Sequence, residues 1–131
     1  MNRMGPPRRF VLLEHRWNGA HWDLMLDTGL ALATWAIDAP IVAGRDLPAR
    51  ALPDHRRVYL EYEGDVSGGR GTVRRVDQGT YEVRLWTPRL VRIRLSGTQL
   101  VGAVELRGPG DGTDGELETP LAWTFRLGNF D

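Results

Sequence analysis

Leu13-Glu14-His15-Arg16-Trp17-Asn18-Gly19-Ala20-His21-Trp22-Asp23 is the stretch that decides how the rest of the chain reads. Apolar and polar residues alternate on both sides of Trp17-Asn18-Gly19, and a period of two marks a β-hairpin rather than a helix. Residues two apart on a strand share a face, so His21, Asp23 and Met25 project together. Pairing back across the turn sets His15 opposite His21 on that same face. Two imidazoles and a carboxylate so placed suit a divalent metal or acid–base chemistry. The same three groups also make sense as a polar patch in which Asp23 holds an imidazole in one tautomer.

Working outward, short alternating runs continue along the chain, broken by glycine, proline and aspartate. Strands are expected over residues 10–15, 20–26, 30–37, 58–63, 71–76, 80–85, 89–95, 99–106 and 121–127, with turns at Asp27-Thr28-Gly29, Asp77-Gln78-Gly79, Trp86-Thr87-Pro88 and Ser96-Gly97. No segment carries ten residues of helical periodicity. Sixteen glycines among closely spaced strands predict an all-β fold, a small closed or nearly closed antiparallel β-barrel with little helix. One hairpin register follows from burial: Tyr81 opposite Ile93 and Val83 opposite Val91, which places Glu82 against Arg92. Arg92 and Arg94 are then solvated charges on the outer wall.

Two stretches depart from alternation. Residues 38–53 hold Pro40, Pro48 and Pro53 and read as a long ordered loop with one helical turn. Residues 108–116 are acidic and glycine-rich and are expected to be mobile, as is the N-terminus over residues 1–8.

At 131 residues and 41% hydrophobic, the chain makes one domain with a real core, residues 1–131. Seventeen acidic residues balance seventeen basic ones, every one of them arginine, so net charge points to neither nucleic acid nor membrane. Absence of cysteine excludes disulfides and thiolate metal sites, leaving nitrogen and oxygen ligands. No signal peptide or membrane-length apolar run is present, which predicts a soluble, cytoplasmic protein, expected to be a monomer. The third histidine, His55, precedes the run with Tyr59, four residues on; in extended chain the two face the same way and extend a site begun by the hairpin.

These residues resemble a family. Phe10-Val11-Leu12-Leu13-Glu14-His15, five residues, then His21-Trp22-Asp23-Leu24-Met25-Leu26-Asp27 is similar to the opening of the 3′-phosphoesterase domain of bacterial DNA ligase D. Thr34-Trp35-Ala36-Ile37, Asp54-His55 with Tyr59 and Glu63-Gly64, Gly71-Thr72-Val73, Gln78-Gly79-Thr80-Tyr81-Glu82 and Arg94-Leu95-Ser96-Gly97 continue the likeness in order across most of the chain. The resemblance implies a small β-barrel that uses manganese, or another divalent metal such as zinc, to process 3′ ends at DNA breaks in non-homologous end joining. Such domains remove a terminal 3′ ribonucleoside and then the 3′-phosphate. Its partners would be DNA or RNA-tailed DNA 3′ ends, with a DNA ligase or end-binding repair protein alongside. Carried over by position, His15, Asp23 and His55 would hold the metal. His21 would contact the phosphate or protonate the leaving oxygen, and Tyr59 would bind a phosphate oxygen.

The departures matter as much. The family's arginine two residues after the metal-binding aspartate is Met25, a thioether with no donor for a phosphate. Asp38 stands where a lysine is usual, and Arg56 replaces the proline after His55. Arg16, Arg56 and Arg57 are the candidates to replace the lost cation. A catalytically weakened module that binds metal and a 3′ end is the alternative to a full phosphoesterase.

Overall fold

The computed structural model describes residues 7–109 and 122–128. Of the two segments expected to be mobile, residues 1–6 and 110–116 lie outside the described residues, as does Leu121 at the start of the last expected strand.

Among the described residues there are nine strands: β1 (Arg8–Arg16), β2 (Ala20–Asp27), β3 (Leu32–Ile37), β4 (Leu47–His55), β5 (Gly64–Asp65), β6 (Thr72–Thr87), β7 (Leu90–Gly97), β8 (Val101–Arg107) and β9 (Trp123–Gly128), with a 3-10 turn at Arg57–Leu60 between β4 and β5. All pair antiparallel in the order β1-β2-β3-β4-β9-β8-β7-β6, and β6 returns to β1, closing an eight-stranded barrel. The two-residue β5 hangs on β6 outside that circuit. No helix among the described residues is long and apolar enough to cross a membrane.

Phe10-Val11-Leu12-Leu13 explains the two-sided burial of β1. A strand with one wet face alternates, and this run does not. Phe10 and Leu12 face the barrel interior with Leu24, Leu26, Ile37, Ile93, Leu95, Leu106 and Phe125. Val11 and Leu13 face outward and are covered in a second cluster with Met25, Leu32, Leu60 and Val73. Leu60, the only buried residue of the 3-10 turn, roofs that outer cluster. Burying a side chain of this size stabilises by about 2 kcal/mol, enough to hold the turn and β5 down on the wall.

Several expectations are corrected. Residues 71–76 and 80–85 are not two strands joined by a turn; β6 runs unbroken through Asp77-Gln78-Gly79. Val76 is the extra residue of a bulge, since Leu12 pairs with Asp77 and Leu13 with Arg75. Asp77 is a cap for a different turn. Its buried carboxylate accepts from the backbone N–H groups of Gln78 (2.8 Å), Thr98 (2.9 Å), Gln99 (3.2 Å) and Leu100 (2.8 Å). Gly79 serves close approach, because a Cβ there would lie 2.1 Å from the Ser96 carbonyl oxygen.

The expected hairpin register is also displaced. Tyr81 stands opposite Leu95, Glu82 opposite Arg94 and Val83 opposite Ile93. A two-residue turn at Pro88-Arg89, with Thr87 Oγ1 accepting from the Leu90 N–H at 3.0 Å, and a slip at Arg84 together set this pairing. Arg92 therefore pairs with Glu105 of β8 at 3.0 Å rather than with Glu82.

The proline-rich loop is shorter than residues 38–53, ending at Asp46, and β4 follows despite its prolines. Among the described residues β4 and β9 pair over Leu47–Ala49. Pro53 sits where the β3–β4 register slips between Thr34–Leu52 and Leu32–His55. Residues 58–63 form no strand; the 3-10 turn replaces it because Leu60 must reach down to Leu13 and Met25.

Asp77→Ala should strip four backbone donors of their acceptor and lower the unfolding free energy by about 3 kcal/mol. Urea denaturation reads this directly, and a change within experimental error would mean the β7–β8 turn is held by something else.

Candidate metal centre

A three-residue connection, with Asn18 (φ 56°) and Gly19 (φ 108°) left-handed, joins β1 to β2. It pairs His15 with His21 and Leu13 with Asp23, so all three polar side chains share the outer face of the wall. His15 Nδ1 lies 3.2 Å from His21 Nε2 and 3.8 Å from Asp23 Oδ2, and His21 Nε2 lies 3.1 Å from Asp23 Oδ1. One ligand atom from each residue falls within 4.8 Å of the others. Asp23 is 2% exposed.

The tautomer of His15 is dictated from outside. Its Nε2 is 2.7 Å from the Arg70 carbonyl oxygen, which can only accept, so Nε2 carries the proton and Nδ1 turns a lone pair toward Asp23 and His21. Gly71 makes this contact possible. Its φ is +82°, and a Cβ would come within 1.8 Å of the Arg16 carbonyl oxygen, so only glycine lets the β5–β6 loop lie this close. Trp17 stacks over His15 with ring centroids 6.3 Å apart.

Asp23 Oδ1 is buried and accepts no hydrogen bond from the described residues; His21 Nε2 approaches it without hydrogen-bond alignment. A carboxylate oxygen out of water with no donor is costly. A cation bound by this oxygen and the two imidazole nitrogens removes that cost, and the nitrogen–oxygen set suits manganese or zinc. The residues therefore fit a divalent ion.

The expected ligand set was His15, Asp23 and His55; the groups that converge are His15, His21 and Asp23, and His55 is not among them. His55 stands opposite Leu32, which pairs with Asp27, four residues beyond Asp23 and so about 13 Å along the wall. Its Nδ1–H donates to the Pro53 carbonyl at 2.9 Å, and its ring meets Tyr59 edge-on at 5.9 Å. His55 and Tyr59 thus form a second station.

The three candidate arginines part company. Arg16 follows His15 on the strand and faces the other way, paired with Glu14 at 2.8 Å. Arg57 is engaged by Asp27, donating from Nε at 2.9 Å and Nη2 at 2.8 Å. Arg56 lines a hollow with Val58, Tyr59, Tyr62, Asp65 and Ser67. Met25 is 1% exposed within the outer cluster, an apolar plug where the resemblance expects a cation. Sequence reasoning missed the Arg70 carbonyl, since a backbone acceptor has no side-chain signature. The nearest sign of it was the crowd of glycines at 64, 68, 69 and 71.

A family model described as the DNA Ligase D 3′-phosphoesterase domain matches residues 13–107, from the strand bearing His15 to the end of β8. No curated protein is similar enough to the chain to count as a relative.

The hydrogen bonds from Arg57 hold the Asp27 carboxyl below its ordinary 3.8, against the opposing effect of burial and with help from the Gly29 N–H. A depressed folded value means that the pair stabilises the fold above pH 3.8 and that this contribution is lost as pH falls through the lower folded value. Asp27→Asn should therefore lower the urea midpoint at neutral pH, with the gap to the parent closing as the pH falls below 3.8 and through the lower folded value. A gap independent of pH would contradict the pairing.

Proposed function

The chain belongs to the DNA ligase D 3′-phosphoesterase domain family, and from that membership we propose that it is a metal-dependent phosphoesterase acting on the 3′ ends of broken DNA. The observation that carries the metal reading is the buried, unpartnered Asp23 Oδ1 between two imidazoles. His15 through Nδ1, His21 through Nε2 and Asp23 through its carboxylate would hold the ion, manganese or a related divalent metal such as zinc. When bound, the ion supplies Lewis acidity, offsetting charge that develops on a phosphoryl oxygen.

The remaining work falls to the protein. In phosphate removal a water oxygen bonds to phosphorus and the P–O3′ bond breaks. The leaving oxygen takes a proton, giving a 3′-hydroxyl and inorganic phosphate. Removing a terminal ribonucleoside breaks the P–O5′ bond instead and leaves the 3′-phosphate. We assign His21 to the ion rather than to the leaving oxygen, because its Nε2 is within 3.2 Å of both His15 Nδ1 and an Asp23 oxygen. Tyr59, with His55 beside it and Arg56 at the neighbouring hollow, is the phosphate-contacting group. Arg70, through its carbonyl, positions His15.

A second reading is favoured by Met25. The cation the resemblance expects there is replaced by a side chain sealed under Leu60, and a lost charged contact to a transferring phosphoryl group costs roughly a hundredfold or more in rate. The protein would then bind metal and a 3′ end with little turnover.

Manganese at a hundred times its dissociation constant should stabilise the fold by about 2.7 kcal/mol, seen as a thermal shift, and His15→Ala should abolish it. Unchanged manganese affinity of that variant by calorimetry would remove His15 from the ligand set. A 3′-phosphorylated primer–template incubated with protein and manganese should release phosphate. None at high enzyme excess would leave the binding module as the surviving reading.

A further inference from the structure

A hollow of about 320 Å³ lies on the outer wall where β6, β7, β8 and β9 run side by side. Around the closed circuit β8 is reached from β2 through β3, β4 and β9 one way and through β1, β6 and β7 the other. The hollow therefore stands diametrically across the barrel from His21 and Asp23. Its origin is a want of side-chain bulk. Register places Glu82, Arg94, Ala103 and Gly128 in one row across the four strands, and Leu85, Arg92, Glu105 and Arg126 in the next, with Arg84 at the slip beside Leu85. Long side chains stand around Ala103, while Ala103 itself and Gly128 add almost nothing. Ile93 and Val104, whose side chains pack in the core, complete the floor.

The rim is cationic, with Arg84, Arg92, Arg94 and Arg126 around a single carboxylate, Glu105. Its guanidiniums are oriented in advance. Arg92 donates from Nε to Glu105 at 3.0 Å, Arg126 from Nη1 to Asp46 at 2.9 Å and Arg84 from Nη1 to Glu82 at 3.3 Å. A guanidinium carries five N–H donors, so one carboxylate fixes each of these three without exhausting it. The floor is apolar. It consists of the Ala103 methyl and the methylene stems of the arginines, and it continues along the same face of β8 to Val101, which is 52% exposed.

A ligand that fits brings negative charge to the rim and an apolar group to the centre. DNA does not answer to that description. A duplex is convex and carries its phosphates on the outside, so it would bridge the hollow without reaching Ala103 and would press phosphate against Glu105. An extended peptide does answer to it. From Arg84 to Arg126 the wall crosses three strand spacings, about 14 Å, and residues i and i+4 of an extended chain stand about 13 Å apart on one face. Carboxylates at those two positions reach the arginines on either side, and the side chain at i+2 falls on Ala103. We propose that the hollow docks an extended acidic segment of a partner protein, with an acidic, an apolar and an acidic side chain at every second residue. Charge complementarity selects the partner, and the metal centre on the opposite wall stays open while it is bound.

Fluorescence anisotropy with the full chain in EDTA tests this, using end-blocked labelled peptides whose core is Glu-Thr-Leu-Thr-Glu or Gln-Thr-Leu-Thr-Gln. Threonine favours the extended form. The glutamate peptide should bind about tenfold tighter than the glutamine peptide or better. Ala103→Leu, which fills the floor and alters no charge, should weaken the glutamate peptide by about tenfold. Should that variant fail to fold, Arg84→Gln combined with Arg126→Gln must produce the same loss, with the parent's circular dichroism retained. Equal binding of the two peptides overturns the proposal, and so does full affinity in the altered protein. A blunt duplex without a 3′-phosphate that displaces the glutamate peptide, and that Ala103→Leu also weakens, makes the hollow a nucleic-acid surface and overturns it as well.

Discussion

Everything in the site depends on one register. The connection at 17–19 closes β1 on β2 so that His15 meets His21, and Asp23 then falls on the same face two residues on. A slip of one residue would send both partners on β2 to the interior face and leave His15 facing Ala20 or Trp22. That register is held from both sides. Inside, Leu12 and Leu24 are paired and fully engaged in the core; outside, Val11 is paired with Met25 beneath Leu60. The cost of exposing both sets at once, at about 2 kcal/mol for each large apolar side chain, far exceeds what a shifted hydrogen-bond ladder could recover.

The outer cluster explains a second feature of the chain. A barrel wall that bears a polar site on its outside need not be covered there, yet this one has an apolar patch next to the site and a roof to cover it. The roof runs from the 3-10 turn through β5 and delivers Tyr59, Tyr62 and the Arg70 carbonyl to the edge of the metal ligands. Met25 belongs to that arrangement. It holds the roof by packing, where a guanidinium would have had to be desolvated or thrust through it. Packing and phosphate chemistry thus compete for one position, and in this chain packing has it.

How much of this was legible in the sequence follows from the range of the forces concerned. The β1–β2 hairpin was readable because alternation and Asn18-Gly19 are local signals. The barrel was readable because strands this short and numerous have few other ways to bury one face. What failed depended on distant partners. Asp77-Gln78-Gly79 has the composition of a turn, but the carboxylate serves residues 98–100 and the glycine serves Ser96. Residues 58–63 have strand composition, but Leu60 is drawn down by Leu13 and Met25 from other strands. The place of His55 among the ligands came from the resemblance, by position. Spacing alone set its ring on the side of Tyr59, and the two rings do meet at 5.9 Å, although through a 3-10 turn rather than an extended strand.

The barrel wall is not equally strong all the way round. β1 pairs over nine positions with β6 and over seven with β2, while among the described residues Pro48, opposite Thr124 in the β4–β9 pairing, contributes no donor. A strand laddered on both sides along its whole length opens only at the cost of both ladders. The backbone that carries His15 is thus held closed from either side, and the ligands it presents are spared the local opening that frays less completely paired strands.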